Sequence, residues 1–391
     1  MTEKKDLAWQ YSTVTHDAVD VRHHGSINVP IYQTSLFAFE TYDEFRQAGQ
    51  HPQHPYVYSR GNNPTVRYLE DKLAELEGAE MAKCFASGMA AISSAILSTV
   101  KTGDHIVCVS QAYGPTRMFV TQYLQRFGIE ATLVDGRSPD DIRAALRPET
   151  KLLYLESPTS MLFQLQDLSA CAALARSRGI VTIADNSWAT PIFQRPIELG
   201  IDLVVHSVTK YISGQSDSVA GVVIGSKQLV SRIAEDEYML LGGIMTAHTA
   251  AMITRSLRSL PLRMERHEKN ALMAAAHMVG QPYVVRVNHP AFPSHPQHEL
   301  GLNQMNGSSG LFSFESAESP EKMREWANRL KFFKIGVSWG GFESLVIVNP
   351  AFPDCAPEAR SLIRLHIGLE NIDDLIQDLD QAWAEVKELQ L

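Results

Sequence analysis

Apolar residues recur along this chain in two rhythms. Val66, Leu69, Leu73 and Leu76 keep helical spacing over residues 65–76, with Gly78 as a stop. A second helix is expected to open at Ser87. From residue 105 onward the apolar residues gather instead into short unbroken runs: 105–110, 131–134, 152–155, 180–184, 203–206 and 220–224. Continuous apolar runs separated by amphipathic stretches predict a mainly parallel sheet covered on both faces. Helices are expected around 228–241 and 246–260, and a boundary near 255–266. Beyond it the spacing predicts strands at 284–287, 310–314, 334–338 and 362–367, with helices at 320–330 and 372–389. Residues 289–308 read as a Pro-, His- and Gly-rich loop. Residues 1–62 have little periodicity and read as an arm over a neighbouring subunit. That divides the chain into an arm (1–62), a large domain (63–258) and a smaller C-terminal α/β domain (259–391).

In open parallel sheets, ligands bind beyond the carboxyl ends of the strands. Two runs end there in residues that carry chemistry. Residues 180–184 lead to Asp185 and Asn186, and residues 203–206 lead to Ser207, Thr209 and Lys210. This pairing suits pyridoxal 5'-phosphate: a lysine can form a Schiff base with its aldehyde, and an aspartate can partner its pyridine nitrogen. A desolvated lysine also supplies a free amine for proton transfer. Taken singly, Lys210 could be a solvated loop residue and Asp185 a turn residue. If the strand continues, Ser207 and Thr209 share one face by its two-residue period.

Other positions carry weaker signals. Ser87, Gly88 and Met89 open a helix whose N-terminus could bind phosphate or simply be capped. Tyr113 follows the run 105–110 and could stack on a flat ring or merely pack. Arg60, two residues after Tyr58, could bind phosphate bidentately or be a solvated loop residue. Arg364 interrupts a strand whose Ile363, Leu365 and Ile367 share the opposite face. It suits the carboxylate of an amino acid, or a salt bridge on a wet sheet face.

Composition narrows the classes of partner. The chain has 391 residues, 45% of them apolar and 20% charged, with a net charge of −9. Nucleic acid and anionic membranes are therefore not expected as partners. No apolar run approaches the ~18 residues of a membrane-spanning helix. The first residues lack a signal-peptide core, so a cytoplasmic location is expected. Four dispersed cysteines without a C-x-x-C pair read as free thiols. Neither His23 with His24 nor His51 with His54 has ligand spacing, and no metal site is expected.

The motifs together resemble one family, the pyridoxal-phosphate enzymes of cysteine and methionine metabolism (the trans-sulfuration enzymes). The matching pieces are Tyr58-Ser59-Arg60-Gly61-Asn62, Ser87-Gly88-Met89, Ala112-Tyr113-Gly114, Glu156-Ser157-Pro158, Ala184-Asp185-Asn186, Thr209-Lys210-Tyr211, Ser338 with Gly340-Gly341 and Glu343-Ser344, and Arg364-Leu365-His366. The resemblance implies an aspartate-aminotransferase-like fold (fold type I): a large domain with a mainly parallel seven-stranded sheet and a smaller α/β domain. It implies that Lys210 carries the cofactor and shuttles the Cα proton, that Asp185 holds the pyridine nitrogen, and that Tyr113 stacks on the ring. Ser87, Gly88, Met89, Ser207 and Thr209 would bind the phosphate, joined by Tyr58 and Arg60 from a neighbouring subunit. Arg364, Ser338, Trp339, Tyr58 and Asn186 would face a sulfur amino acid. A dimer is then the smallest working unit, and a homotetramer the usual assembly. Trp339 after Ser338, and Pro115 after Tyr113-Gly114, look like the bacterial cystathionine β-lyases. The implied reaction is α,β-elimination of L-cystathionine to homocysteine, pyruvate and ammonia, a step of methionine biosynthesis. Tyr58-Ser59-Arg60-Gly61-Asn62 is shared with γ-acting relatives, and Val208 replaces a more usual small residue. A β-lyase for another sulfur amino acid (cysteine, cystine or an S-alkyl-cysteine) and a γ-acting enzyme therefore stay open.

Overall fold

A computed structural model describes residues 8–16, 23–48, 56–352 and 354–389. The pair His51 and His54, and parts of the expected arm, lie outside them. Seven strands form the larger sheet: β1 Met81–Phe85, β2 His105–Val109, β3 Glu130–Val134, β4 Thr150–Glu156, β5 Val181–Asp185, β6 Leu203–His206 and β7 Gly221–Gly225, in the order β1-β7-β6-β5-β4-β2-β3. β7 runs antiparallel to both its neighbours, and the remaining pairs are parallel. Strands β2, β6 and β7 are buried along their length because helices cover both faces.

The helix expected over 65–76 runs Pro64–Glu77. The Asn63 side chain accepts the Thr65 N–H at 3.0 Å, and Gly78 ends the helix at φ 73°. Strand β1 was not among the expected runs, because Lys83 interrupts its apolar pattern. That lysine is buried and paired with Glu70 at 3.2 Å, and its ammonium lies 4.4 Å from the Tyr238 ring centre.

Five further strands build the second sheet: β8 Val284–Asn288, β9 Leu311–Ser316, β10 Lys334–Ile335, β11 Leu345–Pro350 and β12 Ser361–His366, in the order β10-β11-β12-β9-β8. Helices Pro320–Arg329 and Ile372–Val386 pack on it through Trp326, Leu375 and Leu379. Three features depart from the pattern reading. Strand β11 is additional, helix His298–Gln304 lies within the expected loop, and a 20-residue helix, Leu260–Val279, occupies the expected boundary. Leu260 and Met264 of that helix enter the core of the first sheet, while Ala271, Ala274 and Met278 enter that of the second. Among the described residues, no helix is long and apolar enough to cross a membrane.

Candidate functional site

The carboxyl ends of the parallel strands meet at one edge. β2 delivers Tyr113, β4 ends on Glu156, β5 ends on Asp185, and β6 leads into the turn bearing Lys210. β7 starts at this edge, and Gly221 abuts Ser87 so closely that a Cβ there would lie 2.3 Å from the Ser87 carbonyl oxygen. Close approach of two backbones brings the Ser87–Gly88 helix start to the same edge.

Lys210 Nζ donates to Ser338 Oγ at 2.8 Å and lies 5.3 Å from the Trp339 ring centre. Burial, reinforced by Arg364 and opposed by Asp185, lowers its pKa from 10.5 to about 8. The free amine is therefore a minor share near neutrality, but a far larger one than for a solvated lysine.

Asp185 stands opposite Glu156 in the β4–β5 register, and both are buried. Asp185 Oδ1 accepts the Ser187 N–H at 2.9 Å. Glu156 Oε2 accepts the Tyr113 N–H at 2.7 Å, and its other oxygen accepts the Ser160 hydroxyl. Burial pushes both carboxyl pKa values up. Among the described residues, neither has a basic partner at ion-pairing distance. With both Glu156 oxygens engaged, Asp185 is the buried carboxylate that fits a cationic ring nitrogen, which would offset its desolvation.

Helix Gly88–Leu97 begins beside the lysine turn. Ser87 Oγ caps it by accepting the Ala90 N–H at 3.1 Å, which leaves the Gly88 and Met89 N–H groups without intrahelical partners. A Cβ on Gly88 would lie 3.0 Å from Ser207 Oγ, so the absent side chain leaves room for that hydroxyl. These donors suit a phosphate. The strand period does not carry Ser207 and Thr209, because β6 ends at His206 and the chain turns. Thr209 Oγ1 is engaged with the Ala220 backbone, accepting its N–H at 3.0 Å and donating to its carbonyl at 3.2 Å.

Arg364 lies mid-strand in β12 and is buried, so the wet sheet face does not apply to it. Its Nη2 donates to the Val337 carbonyl at 2.6 Å, and Nη1 lies 3.8 Å from Met161 Sδ. No described carboxylate pairs with it, and burial lowers its pKa to about 10. A buried guanidinium without an anion is a ready partner for a carboxylate.

Lys210, Asp185, Tyr113, Ser87, Gly88, Met89, Ser207, Ser338, Trp339 and Arg364 thus gather where the two sheets meet. Asn186 does not join them, because its carboxamide exchanges hydrogen bonds with Gln194 at 2.8 and 2.9 Å. Tyr58 and Arg60 also stand apart. Arg60 donates to the Met239 carbonyl at 3.1 Å and lies over the Tyr58 ring at 5.8 Å. Sequence reasoning gave no role to Glu156 or Ser187. Glu156 ends an apolar run just as Asp185 does, and that parallel was the available signal. Ser187 Oγ accepts the Ser207 N–H at 2.6 Å, a contact with no local sequence trace.

The family model described as "Cys/Met metabolism PLP-dependent enzyme" matches residues 12–384. L-methionine gamma-lyase of Porphyromonas gingivalis is 40% identical over 91% of this chain and 92% of its own length. Cystathionine gamma-lyase of Bacillus subtilis is 37% identical, covering 93% and 95%. Cystathionine beta-lyase of Lactococcus lactis is also 37% identical, covering 92% and 94%.

Proposed function

The chain belongs to the family of Cys/Met-metabolism enzymes that depend on pyridoxal phosphate, and on that premise we propose that this carbon–sulfur lyase catalyses α,β-elimination of L-cystathionine. The observation that carries the β assignment is Trp339, whose ring lies beside Lys210 Nζ and against Tyr211. It confines the amine between an aromatic face and the Ser338 hydroxyl. β-Elimination asks the lysine for one proton abstraction, at Cα, whereas γ-elimination asks for a second, at Cβ.

Pyridoxal phosphate, when bound, supplies an electron sink for the negative charge left at Cα. Asp185 holds the pyridine nitrogen in its cationic form. Gly88, Met89 and Ser207, with Ser87 and Thr209 shaping the turn, hold the phosphate. Arg364 fixes the substrate carboxylate, assisted by the Ser338 region. Lys210 takes the Cα proton, and Lys210 or Tyr113 returns a proton to the departing homocysteine sulfur. General acid–base assistance of this kind contributes about 10²–10⁴-fold. The aminoacrylate left behind hydrolyses to pyruvate and ammonia.

Tyr58 and Arg60 complete the phosphate site of a neighbouring subunit, which makes a dimer the smallest working unit and a tetramer the expected assembly. Supporting this, neither side chain has an acidic partner among the described residues. Both line a cavity of about 340 Å³ with Asn63 and Thr246, and Lys210 is not among its lining residues. We place the division between domains at 258/259, and the enzyme in the cytoplasm, in methionine biosynthesis.

A second reading, γ-elimination from L-methionine or L-cystathionine, is favoured by the names of the relatives with 40% and 37% identity. The purified enzyme, given pyridoxal phosphate and either amino acid, distinguishes them by the keto acid seen in mass spectrometry. Pyruvate with homocysteine supports β-elimination. 2-Oxobutyrate overturns it in favour of the γ reading.

A further inference from the structure

We propose that Glu156 is a positioning residue that fixes the Tyr113 ring at the cofactor site by holding the Tyr113 backbone. The proposal rests on the reading of Tyr113 as the residue that stacks on the cofactor.

Glu156 is the last residue of β4 and is buried. A buried carboxyl group is costly, and a core position at a strand end would ordinarily be apolar. Here both oxygens have assigned partners. Oε2 accepts the Tyr113 N–H at 2.7 Å and Oε1 accepts the Ser160 hydroxyl, while the Glu156 N–H donates to Gln166 Oε1 at 3.3 Å. The side chain therefore bridges the loop after β2 and the loop after β4.

Tyr113 needs such a tether. It precedes a helix of only five residues, Gly114–Met118, and its side chain makes no cap hydrogen bond. The residue is 45% exposed, so packing within the chain covers only part of it. Gly114 has open space where a side chain would lie. The hydrogen bond from Tyr113 N–H to Glu156 ties the Tyr113 backbone itself to the end of the neighbouring strand β4. Burial and the neighbouring Asp185 raise the Glu156 carboxyl pKa to about 8, and the Ser160 and Tyr113 hydrogen bonds, with Arg117 one turn on, oppose that rise.

The test is a double-mutant cycle read in cofactor affinity. Full-length enzyme is stripped of cofactor and titrated with pyridoxal phosphate, following its visible absorbance. Thermal midpoints are recorded for each protein. Tyr113→Ala is expected to weaken binding about tenfold, the scale of one lost stacking contact. Glu156→Met should weaken it similarly, and the double variant should be no worse than either single one. Glu156→Gln keeps an acceptor oxygen and should restore affinity to near wild type. Wild-type affinity in Glu156→Met, or losses that add in the double variant, overturn the proposal. A Glu156→Gln protein as weak as Glu156→Met also overturns it. If Tyr113→Ala binds as tightly as wild type, the stacking reading fails and the proposal falls with it. Should Glu156→Met not fold, Glu156→Ala, which admits water in place of bulk, takes its position in the cycle.

Discussion

Lys210 Nζ and Ser338 Oγ lie 2.8 Å apart, one on the turn after β6 and the other between β10 and β11. The bond joins the two sheets at the point where the chemistry is placed. The amine is thereby both positioned by the second sheet and desolvated by it.

Desolvation determines how the lysine responds to pH. With a pKa lowered from 10.5 to about 8, it is mostly ammonium at pH 7 and mostly amine at pH 9. The rate at which pyridoxal phosphate attaches to the stripped enzyme should rise with pH and level off above about 8. A midpoint near 10 would show that the amine is solvated. The linkage has the same direction. Between about 8 and 10.5 the unfolded chain holds more protons at this lysine, so its contribution to stability grows with pH across that window. Lys210→Ala should lose both turnover and the absorbance of lysine-bound cofactor.

Arg364→Ala removes the guanidinium while leaving the residues around Lys210 in place. Charge-assisted hydrogen bonds of this type contribute roughly 1.5–3 kcal/mol, which corresponds to a KM increase of about 10- to 100-fold. Steady-state kinetics should show that rise, with the cofactor absorbance intact. Loss of cofactor with KM unchanged would place Arg364 at the cofactor rather than at the substrate carboxylate.

Gly340 sits against the lysine turn at φ 86°, and a Cβ there would lie 2.7 Å from Tyr211 N and 2.9 Å from Lys210 Cα. Gly340→Ala combines a left-handed backbone with a collision against backbone atoms, at a cost on the order of 1–3 kcal/mol for the backbone conformation alone. The expected result is a lower thermal midpoint together with a reduced kcat, because the displaced atoms carry Lys210. An unchanged kcat would mean that the turn yields elsewhere.

Lys83 and Glu70 form a buried ion pair at 3.2 Å that ties β1 to helix Pro64–Glu77, and Lys83 Nζ also donates to the Gly61 carbonyl at 3.1 Å. Lys83→Met leaves Glu70 buried without its cation, and should cost about 3–5 kcal/mol in urea unfolding. The double variant Lys83→Met/Glu70→Leu should recover much of that loss. Equal losses in the single and double variants would show that the pair itself, rather than the stranded charge, sets the stability.

Much of the scaffold was legible because burial on both faces leaves a strong trace. The unbroken runs 105–110, 152–155, 180–184 and 203–206 fall in strands of a covered sheet, and Asp185 and Lys210 lie just beyond two of them. β1 and β11 escaped for physical reasons. β1 carries a lysine whose charge is neutralised by a glutamate thirteen residues earlier, and β11 follows a Gly- and Ser-rich turn that masks its start. The helix Leu260–Val279 alternates Arg, Glu and His with its apolar residues and serves two cores, so no single apolar face announces it.

By itself the sequence determined the class of fold, the order of the motifs and the family, because each depends on residue type and local spacing. Tertiary structure alone decided which residues share a site. Ser338 reaches Lys210 from 128 residues away, Glu156 meets Asp185 across a strand pair, and Asn186 turns to Gln194 rather than to the site. It also decided that Arg364 is buried with no carboxylate partner among the described residues and that burial lowers the Lys210 pKa to about 8. Desolvation and charge proximity depend on what packs around a group in space, and neighbours in space are set by sheet register and domain contact, not by distance along the chain.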